Sequence, residues 1–426
     1  MSIKIDRIDQ FFTERNKVGI KPGLDRMELL LQAVGNPEKE LNAIHIAGTN
    51  GKGSTLTYLS KTFETAGYRV GTFSSPSITT RQAMIQINGE PIQDEDFIRY
   101  FVALQPIISE LDEKNNPASA FEIIVAIAMQ FFADVSDIAI IEAGMGGKED
   151  ATNCFTPLLS IITSIGLDHV EFLGDTLQEI ATHKTGIVKQ DRPVVIGKLP
   201  ESARHVIVKN ATKKQAPVYQ WNSDFFAQKV TMNQNRQEQF HFRYHQEDIA
   251  ITLAMAGVHQ IENASLSIMS LLLLKENYPS ITNEVIQMGV KKAQIPARFE
   301  VIHRDPMIII DGAHNEASIN ALLATIDRTY PGQAKQLVFA AFQDKPLKRM
   351  IEKVDDHFDQ IVFTTFEHLR ASTSASLYAL SSHPYKRDEG NWRSVIDQII
   401  NSEQNSRITF VAGSLDFVGK VRQYIK

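Results

Sequence analysis

AIHIAGTNGKGSTLTYLSKTFETAG, residues 43 to 67, decides how the rest of the chain is read. Its first six residues are apolar enough for a buried strand. From Ser54 onward Leu56, Leu59, Phe63 and Ala66 return at the spacing of one helical face, and Gly67 stands where helices end in a glycine. Between strand and helix lies GTNGKGS, Gly48 to Ser54. A loop that cradles polyphosphate needs backbone N–H groups pointing inward at a helix N-terminus, glycines that admit close approach, and a lysine to meet the charge. Gly48, Thr49, Asn50, Gly51, Lys52, Gly53, Ser54 and Thr55 supply all three. The match to G-x-x-x-x-G-K-[ST] is imperfect, because Ile46 stands at the first glycine position and Gly53 separates Lys52 from the hydroxyls. A glycine-rich turn with an exposed lysine is the plainer alternative; the strand and helix on either side favour the phosphate loop.

The alternation continues outward. YRVGTF, DIAIIEAG (137 to 144), LSIITSIG (159 to 166) and PVVIG (193 to 197) read as strands separated by amphipathic segments, the pattern of a mainly parallel sheet flanked by helices. From about 217 to 253 the period shortens, and VYQW, FFAQKV, QFHFRYH and DIAITL predict a small antiparallel patch. After QIPARF (294 to 299) a second βα series runs through MIIIDG (307 to 312), QLVFAAF (336 to 342), QIVFTTF (360 to 366) and ITFVAGS (408 to 414). The expectation is α/β, with one domain over 1–295 and a smaller one over 296–426.

Composition narrows the function classes. The chain has 426 residues, too many for one ordinary core, and 43% hydrophobic with 22% charged residues is an ordinary globular balance. A net charge of -6, from 44 Lys and Arg against 50 Asp and Glu, leaves no electrostatic footprint for nucleic acid or an anionic membrane. Cys154 is the single cysteine, which excludes an intrachain disulfide and fits a reducing compartment. No stretch approaches the ~20 apolar residues that span a bilayer. The reading is a cytoplasmic monomer without nucleic-acid or membrane partners.

HIAGTNGKGST followed by AGYRVGTFSSP resembles the folylpolyglutamate synthase and dihydrofolate synthase family, relatives of the Mur ligases. The resemblance continues through FEIIVAIAMQFF (121 to 132), IEAGMGGKEDATN (141 to 153), GLDHVEFLGDTLQEIATHKTGI (166 to 187) and GVHQIENASL (257 to 266). It resumes in PARFEVI (296 to 302), IIDGAHN (309 to 315), FQDKP (342 to 346) and GSLDFVGKVR (413 to 422). It implies a P-loop ATPase domain with a central mainly parallel sheet, a Rossmann-like C-terminal domain, and a substrate cleft between them. The implied partners are ATP, a reduced folate and L-glutamate, with two Mg²⁺ sites.

Roles follow from the resemblance residue by residue. Ser75 and Glu142 would hold one Mg²⁺, and Glu142, His169 and a carbamylated Lys184 the second. Glu142 also ends an apolar strand and His169 lies just past another, at the strand ends where open α/β sheets bind ligands. Mg²⁺ prefers oxygen, so a histidine ligand rests on the resemblance; a carbamate would turn the Lys184 ammonium, a repelling charge, into an anionic oxygen donor. Asn263, Arg298 and Asp311 would meet the nucleotide, and His314 and Ser414 the incoming glutamate. Ser119, Phe121, Asp150 and Asn153 would meet the folate. Singly, Asn263, Arg298, Asp311, His314 and Ser414 are readable as ordinary turn or cap residues, His169 as a satisfied loop histidine, and Lys184 as a solvated helix lysine.

The implied chemistry is activation of a carboxylate as an acyl phosphate, followed by attack of the glutamate amine, with domain closure keeping water out. Departures fall in SPSITTRQAMIQING, where Ser77, Ala83 and Met84 stand in place of the family's His, Glu and Arg. Lys148 likewise replaces an arginine and Ser119 a threonine. Whether dihydropteroate is also a substrate stays open. Two other readings are a Mur-type ligase of cell-wall precursors and a P-loop ATPase without ligase chemistry; FEIIVAIAM and PARFEVI favour the folate branch.

Overall fold

A computed structural model describes residues 5–77, 80–402 and 407–426. The chain forms two compact units: Met1–Val230, Gln239–Thr252 and Glu262–Ala293 in the first, and Thr231–Glu238, Leu253–Ile261 and Gln294–Lys426 in the second.

The first unit is built on a sheet of eight strands. They are β1 (Ala43–Ala47), β2 (Val70–Phe73), β3 (Ile85–Ile87), β4 (Glu90–Pro91), β5 (Ile138–Glu142), β6 (Leu159–Ile162), β7 (Val194–Ile196) and β8 (Val218–Gln220), in the order β4-β3-β2-β5-β1-β6-β7-β8. Strands β2, β5, β1, β6, β7 and β8 run parallel. The strands from β2 to β7 are buried throughout, as a sheet covered on both faces requires. Leu30, Phe97, Phe101, Ile123 and Phe132, from three helices, pack with Phe73 and Ile141 in one core. The helix Lys52–Thr65 packs on β1, β2, β5 and the helix Asn283–Lys292.

Two strand assignments differ from the sequence reading. VYQ does not join the antiparallel patch: as β8 it pairs in parallel with β7, Val218 opposite Val194, because the helix Glu201–Lys213 before it makes a crossover rather than a hairpin. The patch is the three strands β9 (Phe226–Met232), β10 (Glu238–Tyr244) and β11 (Glu247–Thr252). The reading also passed over the hairpin β3–β4, whose turn is Asn88-Gly89 with both φ positive, at 51° and 84°.

The second unit has a six-stranded sheet of β12 (Glu300–Arg304), β13 (Met307–Ile310), β14 (Lys335–Phe339), β15 (Gln360–Phe363), β16 (Lys386–Asp388) and β17 (Ile408–Ala412), in the order β12-β13-β17-β14-β15-β16. Only the β12 edge pairs antiparallel. Among the described residues no helix is long and apolar enough to cross a membrane.

Candidate active site

Four neighbouring parallel strands, β2, β5, β1 and β6, end side by side; Glu142 is the last residue of β5, and past the carboxyl ends of the other three follow Ser75, the Gly48–Ser54 loop and the Thr163–His169 segment. The loop is tied to the segment after β6. Thr49 N–H donates to Ser164 O at 2.9 Å, Asn50 N–H to Ser164 Oγ at 2.8 Å, and Thr163 Oγ1 to Asn50 O at 2.6 Å. Thr49 Oγ1 accepts from Gly166 N–H at 3.0 Å. A Cβ on Gly48 would stand 1.9 Å from Thr163 Oγ1, and one on Gly51, where φ is +88°, 2.4 Å from Asn263 Oδ1. Glycine is therefore required at both places, and Asn263 is set directly against the loop. The N–H groups of Thr49 and Asn50 are committed inside the protein. The helix Lys52–Thr65 opens at the end of the loop, and a helix N-terminus favours an anion.

Lys52 Nζ donates to Gly48 O at 3.0 Å and lies 3.6 Å from Glu142 Oε1. Glu142 is only 7% exposed. Gly48, Thr49, Lys52, Gly144, Asp168, His169 and Lys184 line one pocket here. Lys184 closes the helix Leu177–Lys184 and is 4% exposed, so the solvated helix lysine that sequence alone suggests is instead buried. Burial, with the Lys52 ammonium adding to it, pulls its amine from the ordinary 10.5 down to about 7, against the pull of Asp168 and Asp150. His169 is exposed, with a left-handed φ of 51°. Its backbone N–H donates to Asp168 Oδ1 at 3.0 Å.

These donors fit some metal arrangements and not others. Among the described residues no three of His, Cys, Asp or Glu converge as an all-protein cage requires. One buried carboxylate on Glu142, with the Ser75 hydroxyl past the end of the adjacent strand, fits a hard divalent ion that takes its remaining oxygens from phosphate and water. Thr55 adds a buried Oγ1 without a hydrogen-bond partner among the described residues. An unmodified Lys184 amine does not fit as a ligand; a carbamate there would.

The pocket wall past Glu142 is built from internal bonds. Ser119 is the N-cap of the helix Ala120–Val135: its Oγ accepts from Glu122 N–H at 3.2 Å and its own N–H donates to Glu122 Oε2 at 2.6 Å. The Phe121 ring lies tilted against Phe73, centroids 5.9 Å apart, and covers Gly144, where a Cβ would stand 2.6 Å from its Cζ. The buried Asp150 carboxylate accepts from Met145 N–H at 2.7 Å and from Thr152 N–H and Oγ1 at 3.0 and 2.5 Å; burial raises its pKa and these bonds oppose the rise. Asn153 Nδ2 donates to Lys148 O at 3.1 Å, while its Oδ1 is buried without a partner among the described residues.

Residues 81–84 of the departing stretch are held by apolar packing and by contacts of Arg81. Ala83 is buried, Met84 packs on the core, and Arg81 donates to Asp9 Oδ1 at 2.7 Å with its guanidinium 4.2 Å from the centre of the Phe12 ring. Ile78 and Thr79 lie outside the described residues. Lys148 sits 3.4 Å from Glu149.

In the second unit, Asp311 and Ser414 follow the paired strands β13 and β17. The Asp311 carboxylate accepts from Phe299 N–H and Ala313 N–H, both at 2.9 Å; burial raises its pKa and the nearby Arg298 opposes that. A Cβ on Gly312 would stand 3.1 Å from Arg298 Nη1. His314 Nδ1 lies 2.7 Å from Gly312 O; a carbonyl only accepts, so Nδ1 carries a hydrogen and donates. Ser414 Oγ is buried with no hydrogen-bond partner among the described residues.

Sequence reasoning missed Thr163, Ser164 and Asp168. Their signal was present: two hydroxyls directly after an apolar strand, opposite a glycine loop that needs acceptors.

A lysine-bearing glycine loop beside a buried carboxylate at the carboxyl end of a parallel sheet is the layout of a P-loop nucleotide-binding unit, and with the second α/β unit the family matches make the class an ATP-dependent ligase of the Mur type. Residues 46–271 match the Mur ligase middle domain and residues 297–415 the Mur ligase glutamate ligase domain. The chain is 37% identical over 422 residues to a dihydrofolate synthase/folylpolyglutamate synthase of Bacillus subtilis, covering 97% of each. It is 30% identical over 406 residues to a folylpolyglutamate synthase of Lacticaseibacillus casei, covering 93% of each. The crystal structure of Mycobacterium tuberculosis folylpolyglutamate synthase complexed with ADP and AMPPCP superposes with a TM-score of 0.89 at 25% identity, over 98% of this chain and 97% of that one. The chain belongs to the folylpolyglutamate synthase and dihydrofolate synthase family.

Proposed function

We propose that this chain uses ATP to join the amine of L-glutamate to the γ-carboxyl of a reduced folate, in the cytoplasm and as a monomer. The observation that carries the reading is the meeting of Lys52 and Lys184 at one pocket, with Glu142 3.6 Å from Lys52, in a chain aligned along nearly its whole length with folate ligases.

A carboxylate resists attack because its charge repels nucleophiles and oxide is a poor leaving group. The folate carboxylate oxygen therefore attacks the γ-phosphorus, the bond to ADP breaks, and an acyl phosphate forms. Lys52 exchanges its contact with Gly48 O for the phosphate, and the first-turn N–H groups of its helix face the same charge. Asn263, Arg298 and Asp311 hold the nucleotide, and Ser119, Phe121, Asp150 and Asn153 shape the folate side. His314 and Ser414 receive glutamate, whose ammonium proton passes to His314 as general base. The amine then attacks the acyl carbon and phosphate leaves.

Ser75 and Glu142 would hold one Mg²⁺, and Glu142, His169 and a carbamylated Lys184 the second. When bound, Mg²⁺ supplies charge compensation at the phosphate and acyl oxygens. Carbamylation needs an unprotonated amine, which adds to CO₂ and releases one proton; the environment of Lys184 supports it.

The test is a folate labelled with ¹⁸O in its γ-carboxyl, incubated with ATP, Mg²⁺ and glutamate. One labelled oxygen should appear in inorganic phosphate for each glutamyl residue added, both read by mass spectrometry. Glutamyl product with unlabelled phosphate would exclude the acyl phosphate, and no glutamyl product would exclude the ligase.

A further inference from the structure

We propose that His45 is a positioning residue for this ligation: through Thr152 and Asp150 it fixes the Gly144–Met145 wall of the pocket to the strand that carries the phosphate loop. The proposal rests on the functional reading above and assigns a role to a residue outside the nucleotide, metal and substrate sets.

His45 lies in the middle of β1, three residues before Gly48, opposite Ile141 of β5 and Ser160 of β6. It is 0% exposed. The rest of β1 is alanine and isoleucine, so a polar ring here is costly unless bonded. The ring lies against Phe155, centroids 4.9 Å apart, and Nε2 is 2.9 Å from Thr152 Oγ1.

The direction of the chain of bonds follows from donor counting. The Thr152 hydroxyl has one hydrogen, and Asp150 Oδ1 stands 2.5 Å away on a carboxylate that already accepts two backbone N–H groups. The hydroxyl therefore donates to Asp150 and must accept from His45, which fixes the hydrogen on Nε2. Nδ1 is left with a lone pair and, among the described residues, no partner. Burial, with Lys189 adding to it, holds the imidazolium down to about 3, so the ring is neutral at working pH. The far end of the relay is Asp150 Oδ2, which accepts from Met145 N–H, and Gly144 and Met145 line the pocket with Lys52 and Lys184. One hydrogen-bonded line thus joins the two walls between which the carboxylate must be held.

Two measurements on the full-length protein test this. In ¹⁵N-histidine NMR, with the signal assigned by its loss in His45→Gln, His45 should be the neutral Nε2–H tautomer with no titration from about pH 6 to 9. In ligation assays, His45→Phe and Thr152→Val should each lower kcat about ten- to a hundredfold, with the KM for ATP within about twofold. The double variant should be no worse than either single, because both cut one line. His45→Gln and Thr152→Ser, which keep an N–H donor and a hydroxyl, should recover most of the rate. If His45→Phe does not fold, the Thr152→Val and Thr152→Ser pair decides the kinetics. An Nδ1–H tautomer, additive losses, or single variants at the wild-type rate would overturn the proposal. A wild-type protein that ligates no glutamate would refute the functional reading, with the tautomer still deciding the relay.

Discussion

Lys52 Nζ stands 3.6 Å from Glu142 Oε1 while donating to the carbonyl of Gly48 in its own loop. The one cation of the glycine loop is thus parked on the loop and on the proposed metal carboxylate together. Arriving phosphate has to draw Lys52 off Gly48, and the same charge bears on Lys184, whose amine Lys52 helps to depress.

Lys52→Ala should lower kcat by at least about 10²–10³-fold, as loss of a donor to developing charge does. Unfolding free energy should change by no more than ~1–2 kcal/mol, since the side chain is at the loop and outside the hydrophobic core. Steady-state kinetics beside urea denaturation separate the two; near-wild-type turnover would remove Lys52 from the site.

Glu142→Ala should cost as much or more, because it removes the proposed ligand of both ions and leaves Lys52 without its partner. Raising Mg²⁺ should rescue it poorly. Full rate at high Mg²⁺ would show that Glu142 does not bridge.

Lys184 gives two linked expectations. Activity should fall in CO₂-depleted buffer and return on adding bicarbonate; indifference to both would remove the carbamate. Stability should also respond in CO₂-free buffer. The folded amine titrates near 7 and the unfolded one near its ordinary 10.5, so between these values the unfolded chain binds the extra proton and stability rises with pH. Lys184→Met should therefore be more stable than wild type at pH 7, by about 1–3 kcal/mol, with the gain shrinking toward pH 10. Denaturant titrations at the two pH values check it, and a gain independent of pH would contradict the buried-amine account.

The glycine loop was legible because its physics is local: strand, glycines, lysine and helix occupy one continuous segment. The same holds for β13 and β17, whose apolar runs end in DGAHN and GS. What escaped depends on distant partners. The burial of Lys184 is set by the Gly147–Lys148 segment packing on its short helix, with Lys148 N–H donating to His183 O at 2.8 Å, and nothing in ATHKTGI announces that. Asp150 entered only through the resemblance, and its bond to Met145 comes only with the folded loop. Ser119 is a different case, since Ser-Ala-Phe-Glu is a readable capping box and the box is what the structure contains. VYQ was misassigned because three residues cannot show whether they follow a hairpin or a crossover.

Substrate preference should follow the 77–84 stretch. Ala83 and Met84 contribute apolar contacts where a charged pair was expected, and Arg81 is committed to Asp9 and Phe12. Tetrahydrofolate should therefore be extended faster than dihydropteroate is glutamylated, measured as phosphate release at matched concentrations. Faster turnover of dihydropteroate would reverse that ordering.

The most direct test of the central claim is phosphate release from ATP and Mg²⁺ with glutamate and, in parallel, tetrahydrofolate, a UDP-muramoyl peptide, or no acceptor. Release should require glutamate and tetrahydrofolate together and stay at background in the other two reactions. Equal release without an acceptor, or release driven by the muramoyl peptide instead, would contradict the assignment as a folate-glutamate ligase.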